Sequence, residues 1–268
     1  PQVSAERQKE ALDSVAKAYS VIKQGKYYYD KDDFLAERKM SAKIVELASA
    51  KPVKEREIED AFIKWQKENS IILSPRQAEA VRNLKYRISI VTGGPGTGKT
   101  TCLRAIMDVY HMVWPDEHIL LMAPTGLAAK RMAESTGVDK AKTLHSILGL
   151  ASEEDEIKRN NTQEPLSADL IIVDEFSMVD MWLANKFFSR IKGGARVILV
   201  GDPDQLPSVG AGNVFRELID CGLITVTVLD QIFRQSKDSL IAYNAKFINE
   251  GNTKLFLSLI HISEPTRP

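Results

Sequence analysis

Cysteine is nearly absent from this chain: only Cys102 and Cys221 occur in 268 residues. Two thiols are too few for a disulfide framework, and they stand at no metal-ligand spacing, which fits a reducing compartment. Net charge is missing too. The 36 basic and 36 acidic side chains cancel, so bulk attraction to nucleic acid is excluded and any such contact has to be local. Long apolar runs are lacking: stretches such as Ile119 to Ala123 and Val197 to Val200 fall far short of the roughly 18 residues that span a bilayer. No signal-peptide pattern is present at the first residues, so a cytoplasmic protein without membrane contact is expected. There is no internal repeat. What remains is ordinary: 44% hydrophobic and 27% charged residues exclude a disordered or fibrous chain, and the length allows one large domain or two small ones.

Residues 1 to 70 carry 14 basic and 13 acidic side chains, with Phe34, Met40, Ile44, Val45 and Leu47 at helical spacing, which predicts a small helical region. A further helix is expected over Glu55 to Glu68, with a domain boundary near residue 70. Leu73-Ser74-Pro75 offers an N-cap serine and a proline at the first helical position, launching a helix to about Leu84. Beyond it, short apolar runs alternate with helix-sized segments: Ile88 to Val91, Ile119 to Ala123, Leu170 to Val173, Val197 to Val200 and Ile224 to Leu229. That alternation predicts an α/β domain with a parallel sheet and crossover helices. Ala151 to Pro165, with five acids, two bases and no periodicity, reads as an exposed excursion from the sheet.

Three segments carry chemistry. Gly93-Gly94-Pro95-Gly96-Thr97-Gly98-Lys99-Thr100, followed by Thr101, matches the P-loop pattern in full, after a strand and before a helix. Glycines let backbone N–H groups converge on a phosphate, the helix N-terminus adds its dipole, and Lys99 reaches the β and γ phosphates of ATP. The Thr100 hydroxyl is placed to hold Mg2+. Asp174-Glu175 ends the strand Leu170 to Val173, at the edge where open parallel sheets place ligands. Asp174 can hold the same Mg2+ through water while Glu175 orients and deprotonates an attacking water. The dipeptide alone would equally suit a solvated acidic pair. Gly201-Asp202-Pro203-Asp204-Gln205-Leu206-Pro207 ends another strand, and its amide, Gln205, can sense a γ-phosphate. Alone it is an ordinary turn.

With these segments in order, the sequence resembles a superfamily 1 helicase of the RecD-like group, which moves 5′ to 3′ on single-stranded DNA. Leu73 to Val81 resembles the family's Q motif, whose glutamine, here Gln77, reads adenine. Gly93 to Thr101 resembles motif I, and Ala123-Pro124-Thr125-Gly126-Leu127-Ala128-Ala129-Lys130-Arg131-Met132 resembles motif Ia. Thr143-Leu144-His145-Ser146-Ile147-Leu148-Gly149 is similar to the next DNA-contacting motif. Motif II runs from Asp174 to Asp180, with Phe176 where the family more often has alanine. Motif III runs from Gly201 to Gly210, and Ile232-Phe233-Arg234-Gln235 looks like motif IV, whose arginine faces the γ-phosphate. The resemblance spans about residues 25 to 257. It implies a RecA-like P-loop fold, ATP and Mg2+ as cofactors, single-stranded DNA as partner, and an enzyme of DNA repair and recombination.

On that resemblance Lys99, Glu175, Gln205 and Arg234 are catalytic, and Pro124, Thr125, Gly126, Thr143 and His145 meet DNA. The residues themselves leave alternatives: Thr125 also suits a helix N-cap and His145 a core histidine. Residues 151–165 fall where this group inserts a strand-separating hairpin. The chain is expected to supply the first RecA-like domain only, with the second domain missing, and its last residues, 258–268, are expected to be a non-native tail. ATP binding with slow turnover and no unwinding is then the expectation. Another superfamily 1 helicase, relaxase-linked or RNA-directed, and a nucleotide-gated binding module are the alternatives.

Overall fold

The computed structural model describes residues 4–17, 21–138, 141–150, 164–205 and 207–231. Six strands form one parallel sheet: β3 (Ile88–Thr92), β4 (Ile119–Ala123), β5 (Lys142–Thr143), β6 (Leu170–Val173), β7 (Arg196–Gly201) and β8 (Thr225–Val228), in the spatial order β5-β4-β6-β7-β3-β8. The three central strands, β6, β7 and β3, are buried at every position, as expected of a sheet covered on both faces. All five apolar runs of the sequence are strands, and the α/β reading holds. The two-residue β5 was not anticipated, because Lys142-Thr143 carries no apolar run.

Both faces are covered partly by residues that precede the expected boundary. Helix α2 (Lys31–Ala48) turns Met40, Ile44 and Leu47 into a core shared with β3, β6, β7, α7 (Leu144–Leu148), α8 (Met181–Ser189) and α9 (Val214–Asp220). Helix α3 (Glu55–Asn69) does the same on the opposite face. Its Ile58, Phe62 and Trp65 join α4 (Pro75–Arg82), α5 (Lys99–Val113) and Met132 of α6 (Gly126–Thr136). Phe62 and Trp65 are fully buried, each contributing about 2 kcal/mol by the area it removes from water. Trp65 also donates its indole N–H to Asp108 at 2.8 Å. Both cores therefore run across residue 70.

The first segment departs from its all-helical expectation. After α1 (Ala5–Lys17) come two antiparallel strands, β1 (Val21–Gln24) and β2 (Tyr27–Asp30), joined by Gly25-Lys26. Gly25 takes φ 59°, which a two-residue hairpin turn requires, and three consecutive tyrosines favour a strand over a helix. The Tyr28 hydroxyl donates to Asp13 at 2.7 Å, and Lys23 pairs with the same carboxylate at 2.5 Å, tying the hairpin to α1. Most of the 151–165 excursion, all of the 258–268 tail and Arg234 lie outside the described residues.

Candidate active site

Strand order decides what meets what. Because β7 pairs with β3 on one side and β6 on the other, the loop after β7 emerges between the P-loop and the acidic pair. The four loops that follow β3, β7, β6 and β4 stand side by side along the carboxyl edge, although the chain visits them in a different order.

The P-loop has a backbone only glycine tolerates. Gly93 sits at φ 153°, and a Cβ there would lie 2.5 Å from the Leu229 carbonyl oxygen, so any side chain would push β3 away from the end of β8. Gly96 and Gly98 are both at φ 79°. Gly98 caps α5 without a side-chain hydrogen bond, so the first N–H groups of the helix face the cleft, the arrangement that receives phosphate. Lys99 folds back over the loop, donating to the Gly93 carbonyl at 2.5 Å and the Gly94 carbonyl at 3.1 Å. Thr97 is buried and donates to Gly94 at 2.9 Å, which fixes the loop from inside.

The acidic pair is held less comfortably. Glu175 adopts the left-handed conformation at φ 52°, unfavourable by about 1 kcal/mol or more for a residue with a Cβ. Asp174 accepts the Glu175 backbone N–H at 2.9 Å. Burial pushes the Asp174 carboxyl above its ordinary value. Glu175 is raised in the same direction, first by burial and then by the Asp174 charge, with Lys99 and Arg131 pulling it back. Among the described residues, Glu175 Oε2 is buried without a partner, as are Ser177 Oγ two residues on and Thr92 Oγ1 at the end of β3. Two raised carboxylates and an orphaned oxygen are donors suited to a hard divalent cation, so the residues fit Mg2+.

The loop after β7 is tied at both ends. Asp202 is buried; its carboxylate accepts from the Asp204 N–H at 3.0 Å, and its carbonyl from the Gln205 N–H at 3.2 Å. Further on, Gly210 lies directly against the Asp180 side chain, and Ala211 accepts the Met181 N–H at 2.9 Å. Gln205 is left exposed between these anchors.

The result is a cleft of about 730 Å³ lined by Pro95 to Thr100, Asp174, Glu175, Gln205 and Thr125, closed on its far side by Leu127, Ala128, Arg131 and Ser135 of α6. That volume is within the range of small-molecule sites. Gly93, Gly94 and Thr101 support the loop without lining the cleft. Gln77 lies behind it. It is buried, accepts the Ser74 N–H at 3.0 Å as half of a capping box, and donates to the Gly98 carbonyl at 3.3 Å. Its amide thus braces the P-loop from α4.

The residues expected at DNA divide. Thr125 caps α6 through a 3.2 Å bond from the Ala128 N–H and also lines the cleft. Pro124 and Gly126 flank it. Thr143 caps α7 through a 3.1 Å bond from the Ser146 N–H, and His145 is exposed, which removes the core-histidine alternative. Neither Thr143 nor His145 lines the cleft; β5 pairs with β4 and carries them one strand further along the same rim. Arg131 was missed as a cleft residue. The spacing Leu127, Ala128, Arg131, Met132, Ser135 puts all five on one helical face, a signal that was available.

Residues 77–211 match the family model described as AAA domain. Among curated proteins, the chain is similar to the ATP-dependent RecD2 DNA helicase of Deinococcus radiodurans, 38% identical over 180 residues, covering 67% of this chain and 24% of that protein. It is similar also to the RecBCD enzyme subunit RecD of Haemophilus influenzae, 40% identical over 156 residues, 50% of this chain and 24% of that one. The chain therefore spans about a quarter of the length of these relatives. Among solved structures, the Pif1 helicase from Candida albicans is 30% identical with a TM-score of 0.51, covering 68% of this chain and 45% of that one.

Proposed function

Because the chain belongs to the AAA-domain family and is RecD-like over 67% of its length, we propose that it is an ATP-hydrolysing motor unit of a 5′ to 3′ DNA helicase. The observation that carries this reading is the convergence of Lys99, Thr100, Asp174, Glu175 and Gln205 on one cleft from three separate strands. Backbone amides of Gly96 to Lys99 receive the phosphates, and Lys99 leaves its carbonyl partners to meet the β and γ oxygens. Thr100, and Asp174 through water, would hold magnesium, which when bound would neutralise charge on the phosphate oxygens. Glu175 accepts the proton of the attacking water; its raised affinity for protons suits a general base. Gln205, on a loop anchored at Asp202 and Ala211, reports the state of the γ-phosphate to α8. Arg234 is assigned the charge-stabilising role by resemblance alone.

Single-stranded DNA is proposed to cross the same rim at the N-termini of α6 and α7, where Thr125, Gly126 and His145 are exposed. Their small donors and helix-end amides suit phosphates more than bases, consistent with binding that ignores sequence. Phosphate release should be measured with and without an oligothymidylate. Magnesium-dependent hydrolysis that rises with the oligonucleotide and vanishes in Lys99→Ala is expected. Hydrolysis indifferent to DNA would leave only a nucleotide-gated module, and none in either protein would remove the motor reading.

A further inference from the structure

We infer that Arg131 is a phosphate-binding cation of this cleft, contacting the terminal phosphate of a nucleoside triphosphate and separating it from the diphosphate. The inference rests on the ATP reading above and adds a residue to it. Its position supports this. Arg131 lies six residues, nearly two helical turns, beyond the Thr125 cap, on the face of α6 that closes the cleft opposite the P-loop, together with Ala128 and Ser135. It lines the same cleft as Glu175, the residue proposed to activate the attacking water. The side chain is exposed and has no hydrogen bond or ion pair among the described residues. Its neighbour Lys130 differs: it pairs with Glu134 at 3.9 Å on the helix surface.

The other cation of the cleft cannot do the same work alone. Lys99 rests on the Gly93 and Gly94 carbonyls at the base of the loop, and its contacts bridge the β- and γ-phosphates, so part of what it binds is common to diphosphate and triphosphate. A second cation on the opposite wall of the cleft is placed to meet the group that the triphosphate adds. Guanidinium matches a phosphate oxygen pair in a way that lysine cannot reproduce.

Two variants test this, Arg131→Gln and Arg131→Lys, both good helix formers, with helicity checked by circular dichroism. Competition against a fluorescent nucleotide gives the affinities of ADP and of a non-hydrolysable ATP analogue in magnesium. For Arg131→Gln the analogue should weaken about tenfold, the size of one charge-assisted hydrogen bond, while ADP stays within about twofold; Arg131→Lys should recover part of the loss. Equal weakening of both ligands would mean a structural role and overturn the inference. So would an unchanged ratio. If the unaltered chain binds neither nucleotide, the ATP reading itself fails and takes this one with it.

Discussion

The two ends of the central sheet are built on opposite rules. At the amino edge, Arg196 begins β7 almost wholly buried, 3% exposed, yet each of its faces is used. Its Nε donates to the Leu84 carbonyl at 2.9 Å, its guanidinium lies 4.0 Å from the Trp114 ring centroid, and Glu117 stands 4.0 Å away. Glu117 also accepts the Tyr110 hydroxyl, and Lys54 covers Trp114 at 5.0 Å. At the carboxyl edge the sums do not close. The three buried, unpartnered side-chain oxygens among the described residues, Thr92 Oγ1, Glu175 Oε2 and Ser177 Oγ, are all there, beside a left-handed glutamate and a lysine resting on backbone carbonyls. One edge is finished for stability. The other keeps unsatisfied groups for a ligand, where open α/β sheets hold theirs.

The largest expected effect breaks the comparison at the carboxyl edge. Lys99→Ala should lower hydrolysis by roughly two to three orders of magnitude, the usual loss of one preorganised charge donor, in a phosphate-release assay. The Gly93 and Gly94 carbonyls it leaves can turn to water, so thermal unfolding should barely move. A large fall in melting temperature would mean that Lys99 holds the loop together and that the edge is structural after all.

Next comes the reverse experiment. Arg196→Ala should cost about 3 kcal/mol in urea unfolding, since it empties a buried site and strands the Leu84 carbonyl and Glu117. Nucleotide affinity should stay within about twofold, because the edges are separated by the length of the strands. A large loss of affinity with little loss of stability would erase the distinction between the two edges.

These two edges were not equally legible in the sequence. The carboxyl edge is written in local words: glycines at fixed spacing, an acidic pair after an apolar run, a Gly-Asp-Pro turn. The glycine loop can be read in isolation because its chemistry needs neighbouring residues, whereas the acidic pair and the turn gain meaning only beside it. The amino edge assembles Lys54, Leu84, Tyr110, Trp114, Glu117 and Arg196 from four elements, and nothing local marks them. The strands were legible because both sheet faces are covered, giving continuous apolar runs. The hairpin around Gly25 was not, since its four-residue strands are half exposed and too short to show a period. Gln77 shows a third case: its resemblance to an adenine reader is carried by the local motif, whereas its contact with the Gly98 carbonyl joins residues 21 positions apart.

The smallest expected effect sharpens the comparison most, because it treats Glu175 as a cost to folding. Burial and the Asp174 charge raise its folded pKa above the ordinary 4.5, so the folded chain holds this proton to higher pH than the unfolded chain does. Stability must then fall as pH rises from about 4 through the folded value, since the folded state binds more protons over that window. Glu59, Asp169 and Asp13 are lowered by their basic partners and act in the opposite direction, so the whole-protein curve hides the signal. The difference between Glu175→Gln and the unaltered chain isolates it. The two should be equally stable near pH 4, and the variant should be more stable at neutral pH by at most about 1 kcal/mol, because Glu175 is only half-buried and solvent screens its charge. Magnesium chloride should narrow that gap by stabilising the glutamate form, beyond what sodium chloride does at equal ionic strength. A gap that is constant with pH would leave the carboxylate electrically idle.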